Sequence, residues 1–333
     1  MGVIAADDGH VDLIVTDAGR VDAAALTDYD LDLAFGDDEN DFTLSFPDSP
    51  RLTAGCLVYM DGLGYGGMIG KVRTEKTGDT STVTYAGPTW QGLLEQKVLC
   101  PDAGSDYLSV SGDANQVLGQ LVSRVGLGSL MRAVTEPSGI SIKTYRFDRY
   151  CDMWSGVRKL LAASGARLEI TVRDGAVWLS AVRVVDWDGE VDSDRVDFDA
   201  TRDWRPVNHL IGLGQGDLSE RQRVDWYADA SGKVSQTQSL TGVDEVAQVY
   251  DYSNAESAEL SDKTRDKLQE LQAQGEVKVT VSEGGSYAVG DTIRARDHNT
   301  GIAVRATVSK KIVKVDGGLL SVEYEASGAL MDT

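Results

Sequence analysis

The chain has 333 residues, 41% hydrophobic and 26% charged, the balance of a folded protein with room for two or three domains. Its 53 acidic residues against 32 basic leave a formal charge of −21, a field that repels phosphate and anionic lipid and excludes a sequence-specific DNA binder. Cys56, Cys100 and Cys151 are odd in number and widely spaced, which argues against a disulfide framework and for a reducing site of synthesis.

The N-terminus, MGVIAADDGHVDLIV, has no basic region before its short apolar run, so it does not read as a signal peptide. No apolar stretch approaches the roughly 20 residues of a membrane helix. A strand is expected over Val11–Val15, then a second short segment after the turn Asp17-Ala18-Gly19. Next, Tyr29, Leu31, Leu33 and Phe35 alternate with Asp28, Asp30 and Asp32, the period of a strand with one buried and one wet face. The run Gly36–Asp41 turns the chain, and Phe42, Leu44 and Phe46 resume the alternation until Pro47. Leu57–Met60 and Met68–Val72 flank a glycine-rich turn. Thr82–Tyr85 then leads into Gly87-Pro88-Thr89-Trp90-Gln91-Gly92-Leu93-Leu94. Strand after strand with glycine turns favours a sandwich or barrel.

From about 102 the period changes. Asp113 with Gln116 three residues on can cap a helix whose apolar face is Val117, Leu118, Leu121, Val122 and Val125, stopped by Gly126. A second helix is expected over 152–164, with Val157, Leu160 and Leu161 inward. Leu168–Val172 and Ala176–Ser180 flank Asp174-Gly175, a strong hairpin signal. Helix, helix and hairpin make a small α+β unit over 102–182. The stretch Val182–Val185 and the acidic run Asp186–Asp199 return to the first body or connect onward. Strands follow at 208–213 and 223–227. A helix over about 254–274 has a capping box of Ser253 and Glu256, a shared face of Leu260, Thr264, Leu268 and Leu271, and Gly275 as its stop. Strands close the chain at 276–281, 292–295, 303–315 and 319–325, the last two joined by Asp316-Gly317-Gly318.

The order over 26–101 is an extended pair, a short strand with Gly66-Gly67 and Ile69-Gly70, another strand, then Thr89-Trp90, Gly92-Leu93-Leu94, Lys97-Val98-Leu99 and Pro101. As an ordered set it resembles the N-terminal module of tail hub proteins from long-tailed bacteriophages, the tail-associated or baseplate hub proteins of the siphophage minor tail protein family. Trp154 to Leu179 looks like the α+β insert of those hubs. The resemblance implies a β-rich α+β fold with barrel-like domains. Residues 1–101, completed by 183–200, would form one hub barrel, 102–182 the insert, and 201–333 a second barrel carrying the helix at 254–274. It implies a structural homotrimer that closes the distal end of the tail tube around a central DNA channel. The partners would be the distal tail protein, the tail tube and tape-measure proteins. Its place would be the virion tail tip, after synthesis and assembly in the host bacterial cytoplasm. DNA would pass through without specific binding, and part of the acidic face, Asp28, Asp30 and Asp32, would border the channel. The acidity also reads simply as a solvated surface. Hubs that digest cell wall carry an enzymatic extension. This chain ends at Thr333, about where the last hub strands would finish, so no lytic activity is expected.

The residues themselves point to no catalytic, cofactor or metal site. Gly212, Gly214 and Gly216 stand at i, i+2 and i+4, and a strand-like run follows where a dinucleotide loop needs a helix; a β-turn is expected. Asp37-Asp38-Glu39-Asn40-Asp41 lacks the alternate spacing and distal glutamate of a calcium loop and reads as a solvated turn. His10, His209 and His298 fall in no zinc motif. A nucleophile–histidine–carboxylate triad is spatial and stays open at this level. Ser138-Gly139 and Ser164-Gly165 are not set in a nucleophile elbow, and Cys151, before a helix, reads as a packed thiol. Of the six tryptophans, Trp90 and Trp154 fall on core-facing positions, against a sugar-binding groove. The alternatives carried forward are a cell-wall-degrading tail-associated enzyme and a carbohydrate- or receptor-binding tail module.

Overall fold

The computed structural model describes residues 10–47, 51–173, 175–187, 197–200, 203–253, 257–272, 277–282, 286–297 and 299–331. By contact the chain divides into two units, Met1–Phe198 with Lys278–Gly328, and Asp199–Val277 with Ala329–Thr333. The first begins with strands β1 (Leu13–Thr16), β2 (Asp22–Leu26), β3 (Asp30–Gly36), β4 (Asp41–Ser45), β5 (Leu57–Tyr59), β6 (Gly66–Met68), β7 (Lys71–Thr77) and β8 (Thr80–Pro88). Helix α1 (Trp90–Glu95), β9 (Ser109–Asp113), α2 (Ala114–Arg124), β10 (Met131–Ala133), β11 (Ser141–Arg146), α3 (Met153–Ala162), β12 (Ala166–Arg173), β13 (Ala176–Arg183) and β14 (Asp186–Trp187) follow. After β15 (Asp197–Ala200), the second unit holds β16 (His209–Leu213), β17 (Arg223–Ala228), β18 (Val234–Ser235), β19 (Ala247–Asp251) and α4 (Ser257–Gln272). The chain then returns through β20 (Val277–Ser282), β21 (Thr292–Arg296), β22 (Ala303–Asp316) and β23 (Leu319–Leu330).

The alternation after Tyr29 folds as its period requires. Tyr29, Leu31 and Leu33 are buried, Asp28, Asp30 and Asp32 exposed. Across the hairpin, Leu31 faces Leu44 and Leu33 faces Phe42, so two apolar rows share one side. The main sheet of this unit runs β20-β23-β22-β3-β4-β8-β7. Long β22 is its spine. Its first half pairs with β21, Thr307 opposite Thr292, and its second half with β3, Lys310 opposite Gly36. Leu13, Val15 and Val58 from the smaller sheet β2-β1-β5-β6, with Met60 just after β5, pack with Leu33, Phe42, Leu44 and Val313 in one core.

The segment after Pro101 forms the predicted helices and hairpin. Asp113 caps α2, its carboxylate accepting from Asn115 N at 2.9 Å; Asp152 caps α3 by accepting from Ser155 N at 2.7 Å. Val117, Leu118, Leu121, Val157, Leu160 and Leu161 are buried against the β10-β13-β12 sheet. The same core includes Trp90, Leu93 and Leu94 of α1, a helix that the sequence pattern did not announce. Thr89 caps it, its hydroxyl accepting from Gly92 N. Two bolts tie this segment to the strands. Trp154 Nε1 donates to the Gly36 carbonyl at 2.8 Å. Asp291, 1% exposed, accepts from Arg167 Nε at 2.9 Å and from Val185 N and Ala288 N at 3.0 Å each.

In the second unit α4 lies on the sheet β18-β17-β16-β19. Leu268 packs with Leu210 and Ala228. Thr264 reaches Gly212 so closely that any Cβ there would collide with its hydroxyl, which explains that glycine by packing. Glu256 of the expected capping box, the stop at Gly275, Asp174 of the hairpin turn and His298 lie outside the described residues.

The fold is β-rich with few helices, as expected. One expectation is revised: the sheets are not closed into barrels among the described strands. By contact, the pairing of β22 with β3 groups Lys278–Gly328 with the first unit.

Candidate interaction surface

Asp30 and Asp32 stand on the outward face of β3, with Asp28 exposed just ahead of the strand. Register sets their neighbours. Asp30 lies opposite Ser45, and Asp32 lies between Thr43 and Lys314. With Thr84 and Asp316 these side chains line a shallow groove of about 250 Å³. Asp30 accepts from Gly317 N at 3.1 Å, which ties the β22–β23 turn to this face. Lys314 bonds Glu323 at 3.1 Å. That hydrogen bond and the Glu323 charge, with Asp32 adding to them, hold its amine above the ordinary lysine range. The groove therefore holds Asp30 and Asp32 together, while Asp28 is not among its lining residues. Lys314 and Asp316 belong to it as well. Alternation around Val313 and Val315 turns Lys314 outward, but only the β22–β3 pairing puts it beside Asp32.

A second groove, about 610 Å³, runs between the β3–β4 turn, the β6–β7 connection, the end of β8 and α1. Asp38, Glu39, Asp41 and Glu95 line it, with Lys71 at the root of β7. The acidic turn is organised by cations of the protein itself. Asp37 pairs with Arg158, and Lys310 contacts Asp38 at 3.3 Å and Glu39 at 3.0 Å. Burial would lower the Lys310 amine, but hydrogen bonds to Glu39 and Asp38 and the charge of Glu325 outweigh it and raise the amine. Asn40 accepts from Gly36 N and donates to Glu95 at 3.2 Å. No group of three or more His, Cys, Asp or Glu side chains among the described residues has the geometry to hold a metal.

Beside this groove the β7–β8 hairpin projects. Every residue of β7 is exposed, and among the described strands β8 alone pairs with it. Gly78, at φ 62°, supplies the positive φ of the two-residue turn. Met68–Val72 is not one strand: the chain breaks at Ile69-Gly70, and β7 runs on to Thr77.

The remaining candidate chemistry resolves into structure. His209, on β16, faces Glu245 through Nδ1 at 2.6 Å and Asp225 through Nε2 at 2.8 Å, and its ring stacks on Tyr227. Both ring nitrogens face carboxylates, so neither is open to take a proton from a nucleophile. Burial would raise the Asp225 carboxyl, but hydrogen bonds from Arg223 and His209 outweigh it and lower it. After Leu213 the chain enters a loop with a single 3-10 turn at Leu218–Glu220 and then β17, not the helix of a dinucleotide site. Ser138 donates its hydroxyl to Asp113 at 2.9 Å. Burial and the charges of Asp152 and Asp148 push the Cys151 thiol up, the reverse of activation. Trp90 and Trp154 are buried. No helix among the described residues is long and apolar enough to cross a membrane.

No family model and no curated protein matches this chain by sequence. Solved structures do match. The prophage tail protein gp18 from Listeria monocytogenes EGD-e has a TM-score of 0.50 at 14% identity, with 95% of this chain and 94% of that chain covered. The 43 kDa tail protein of prophage MuSo2 from Shewanella oneidensis has a TM-score of 0.50 at 11% identity, with 95% and 98% covered. The chain shares its fold with prophage tail proteins, as the ordered motif of residues 26–101 implies.

Proposed function

We propose that this chain is a structural protein of a phage or prophage tail, a hub that closes the distal end of the tail tube. The observation that carries the reading is the fold shared along nearly the whole chain with two prophage tail proteins. In this reading three copies form a ring around a DNA channel, and Asp28, Asp30 and Asp32 border it. Residues 102–182 form an insert, and the open sheets become barrel-like where copies meet, which covers their edges. The ring meets the distal tail protein, the tail tube and the tape-measure protein at the virion tail tip, after synthesis in the host cytoplasm. Its role is architectural and not enzymatic. Three features favour this: both nitrogens of His209 are engaged, the Cys151 thiol is pushed up, and the acidic turn is answered by Lys310 and Arg158.

Electron microscopy of purified particles labelled with an antibody to this chain tests the proposal. Label confined to the distal end of the tail is the expected result. Tails that carry the protein nowhere, or only along the tube, would overturn it.

A further inference from the structure

Strand edges that carry charge on every second residue resist adding another strand, yet the same charges can be read by a complementary surface. Strand β7 is such an edge. It is seven residues long and exposed throughout, so it reaches roughly 23 Å at ~3.3 Å per residue. Its charges run against those of the protein. Lys71, Arg73 and Lys76 outnumber one acid, Glu75, which pairs with Arg73, on a chain of net charge −21. Val72, 61% exposed, adds an apolar contact. The acidic groove at the root of this hairpin is its counterpart. Lys310 answers Asp38 and Glu39, but among the described residues Asp41 and Glu95 have no ion-pair partner.

We infer that the β7–β8 hairpin is a docking arm, and that its basic strand seats in the groove lined by Asp38, Asp41 and Glu95 of a second copy of this chain. Apart from Lys71, which starts the arm and also lines the groove, arm and groove are different surfaces of one protein, so the contact is heterologous. Repeated head to tail, it closes a ring when the rotation between copies permits. The inference rests on the ring-forming reading above and names the surfaces through which the ring forms. The hairpin's turn is tight, with Gly78 at positive φ, so the arm is held extended before docking. Opposite charges across the contact also set its direction: arm against arm and groove against groove both repel.

Analytical ultracentrifugation of the full chain, from 50 mM to 500 mM salt, tests this. Self-association is expected at low salt and should weaken as salt rises. The variant Arg73→Glu with Lys76→Glu should raise the dissociation constant about tenfold or more. Asp41→Lys with Glu95→Lys should do the same, and the chain carrying all four changes should associate again. Circular dichroism melts of each variant separate lost contact from lost fold, since the arm substitutions lie on exposed positions. Association unchanged by the arm substitutions, or no recovery in the fourfold variant, would refute the arm–groove contact and leave a ring formed through other surfaces. A chain monomeric at every salt concentration would also refute it. The tail reading is decided separately, by the labelled particles.

Discussion

Single side chains show how this protein tolerates charge in its interior. Lys311 follows Lys310 on β22, but it turns to the other side of the strand and enters an aromatic setting. Its ammonium lies 5.1 Å from the ring centroids of both Tyr65 and Tyr324, and its hydrogen bond to the Tyr287 carbonyl is long at 3.4 Å. Burial lowers the amine to about 8; Arg167 nearby adds to this and Asp291 opposes it. An unfolded chain keeps its lysine protonated up to about 10.4. Between those two values the unfolded state binds the additional proton, so stability rises with pH across the window. Below it, the cost of the buried charge is fully present. Lys311→Met should therefore stabilise the protein at pH 7 by about 1–3 kcal/mol. The gain should vanish by about pH 10.4, where the parent amine is already neutral in both states. Urea unfolding of parent and variant from pH 7 to 10.5 measures the gap; a gap independent of pH would contradict it. Nothing in the sequence separates Lys311 from Lys310. Two adjacent lysines on a strand must face opposite sides, but which one meets the carboxylates and which one the tyrosine rings depends on a register set by β3.

Among whole elements, α1 shows what a sequence pattern leaves hidden. It spans six residues and contains a glycine, too short for a period of 3.6 to declare itself. Its glycine is explained only by its surroundings. A Cβ on Gly92 would run into the carbonyl oxygen of Asn40 and press on the Pro88 side chain. Gly92→Ala should thus destabilise by about 1–3 kcal/mol, although alanine is the better helix former. Gly128, with no atom within 4 Å of a built Cβ, is the control and should tolerate alanine. Thermal melts of the two variants make the comparison, and equal losses would contradict the close approach of Gly92 to the Asn40 carbonyl. Longer elements were legible. The cap at Asp113, the stop after Arg124, the hairpin of β12 and β13, and α4 all follow from local rules, because the residues that decide them lie within one turn or one hairpin. Lys310 opposite Gly36 is the opposite case. That pair joins distant parts of the chain, and alternation identifies both strands without saying that they meet. The same gap hides half of the shallow groove: Asp30 and Asp32 are legible on their own strand, whereas Lys314 and Asp316 join them only through the pairing.

Across the whole molecule the governing quantity is charge. A formal −21 on 333 residues raises the free energy of any phosphate brought near, and the first fifty residues carry thirteen acids against Arg20 alone. Solubility alone accounts for acidity scattered over a surface. The proposed channel would single out Asp28, Asp30 and Asp32 from the other exposed acids. If the outward face of β3 borders a passage for DNA, its charge keeps the polymer from adhering, and lysines there would create the phosphate contacts that hold nucleic acid in place. Phage carrying Asp28→Lys, Asp30→Lys and Asp32→Lys should therefore eject their genome more slowly than the parent, with the asparagine versions between the two. The fold should survive, since all three side chains are exposed and Asp30 alone gives up a hydrogen bond, that from Gly317 N. Counterion competition gives a second handle. The retardation should shrink as monovalent salt rises, because each lysine–phosphate contact is opposed by released ions. Dye-release kinetics of ejection at two salt concentrations, with melts of the isolated variants alongside, provide the measurement. Ejection that keeps the parent's rate in all variants, with the proteins folded and incorporated, would place this acidic face away from the path of the DNA.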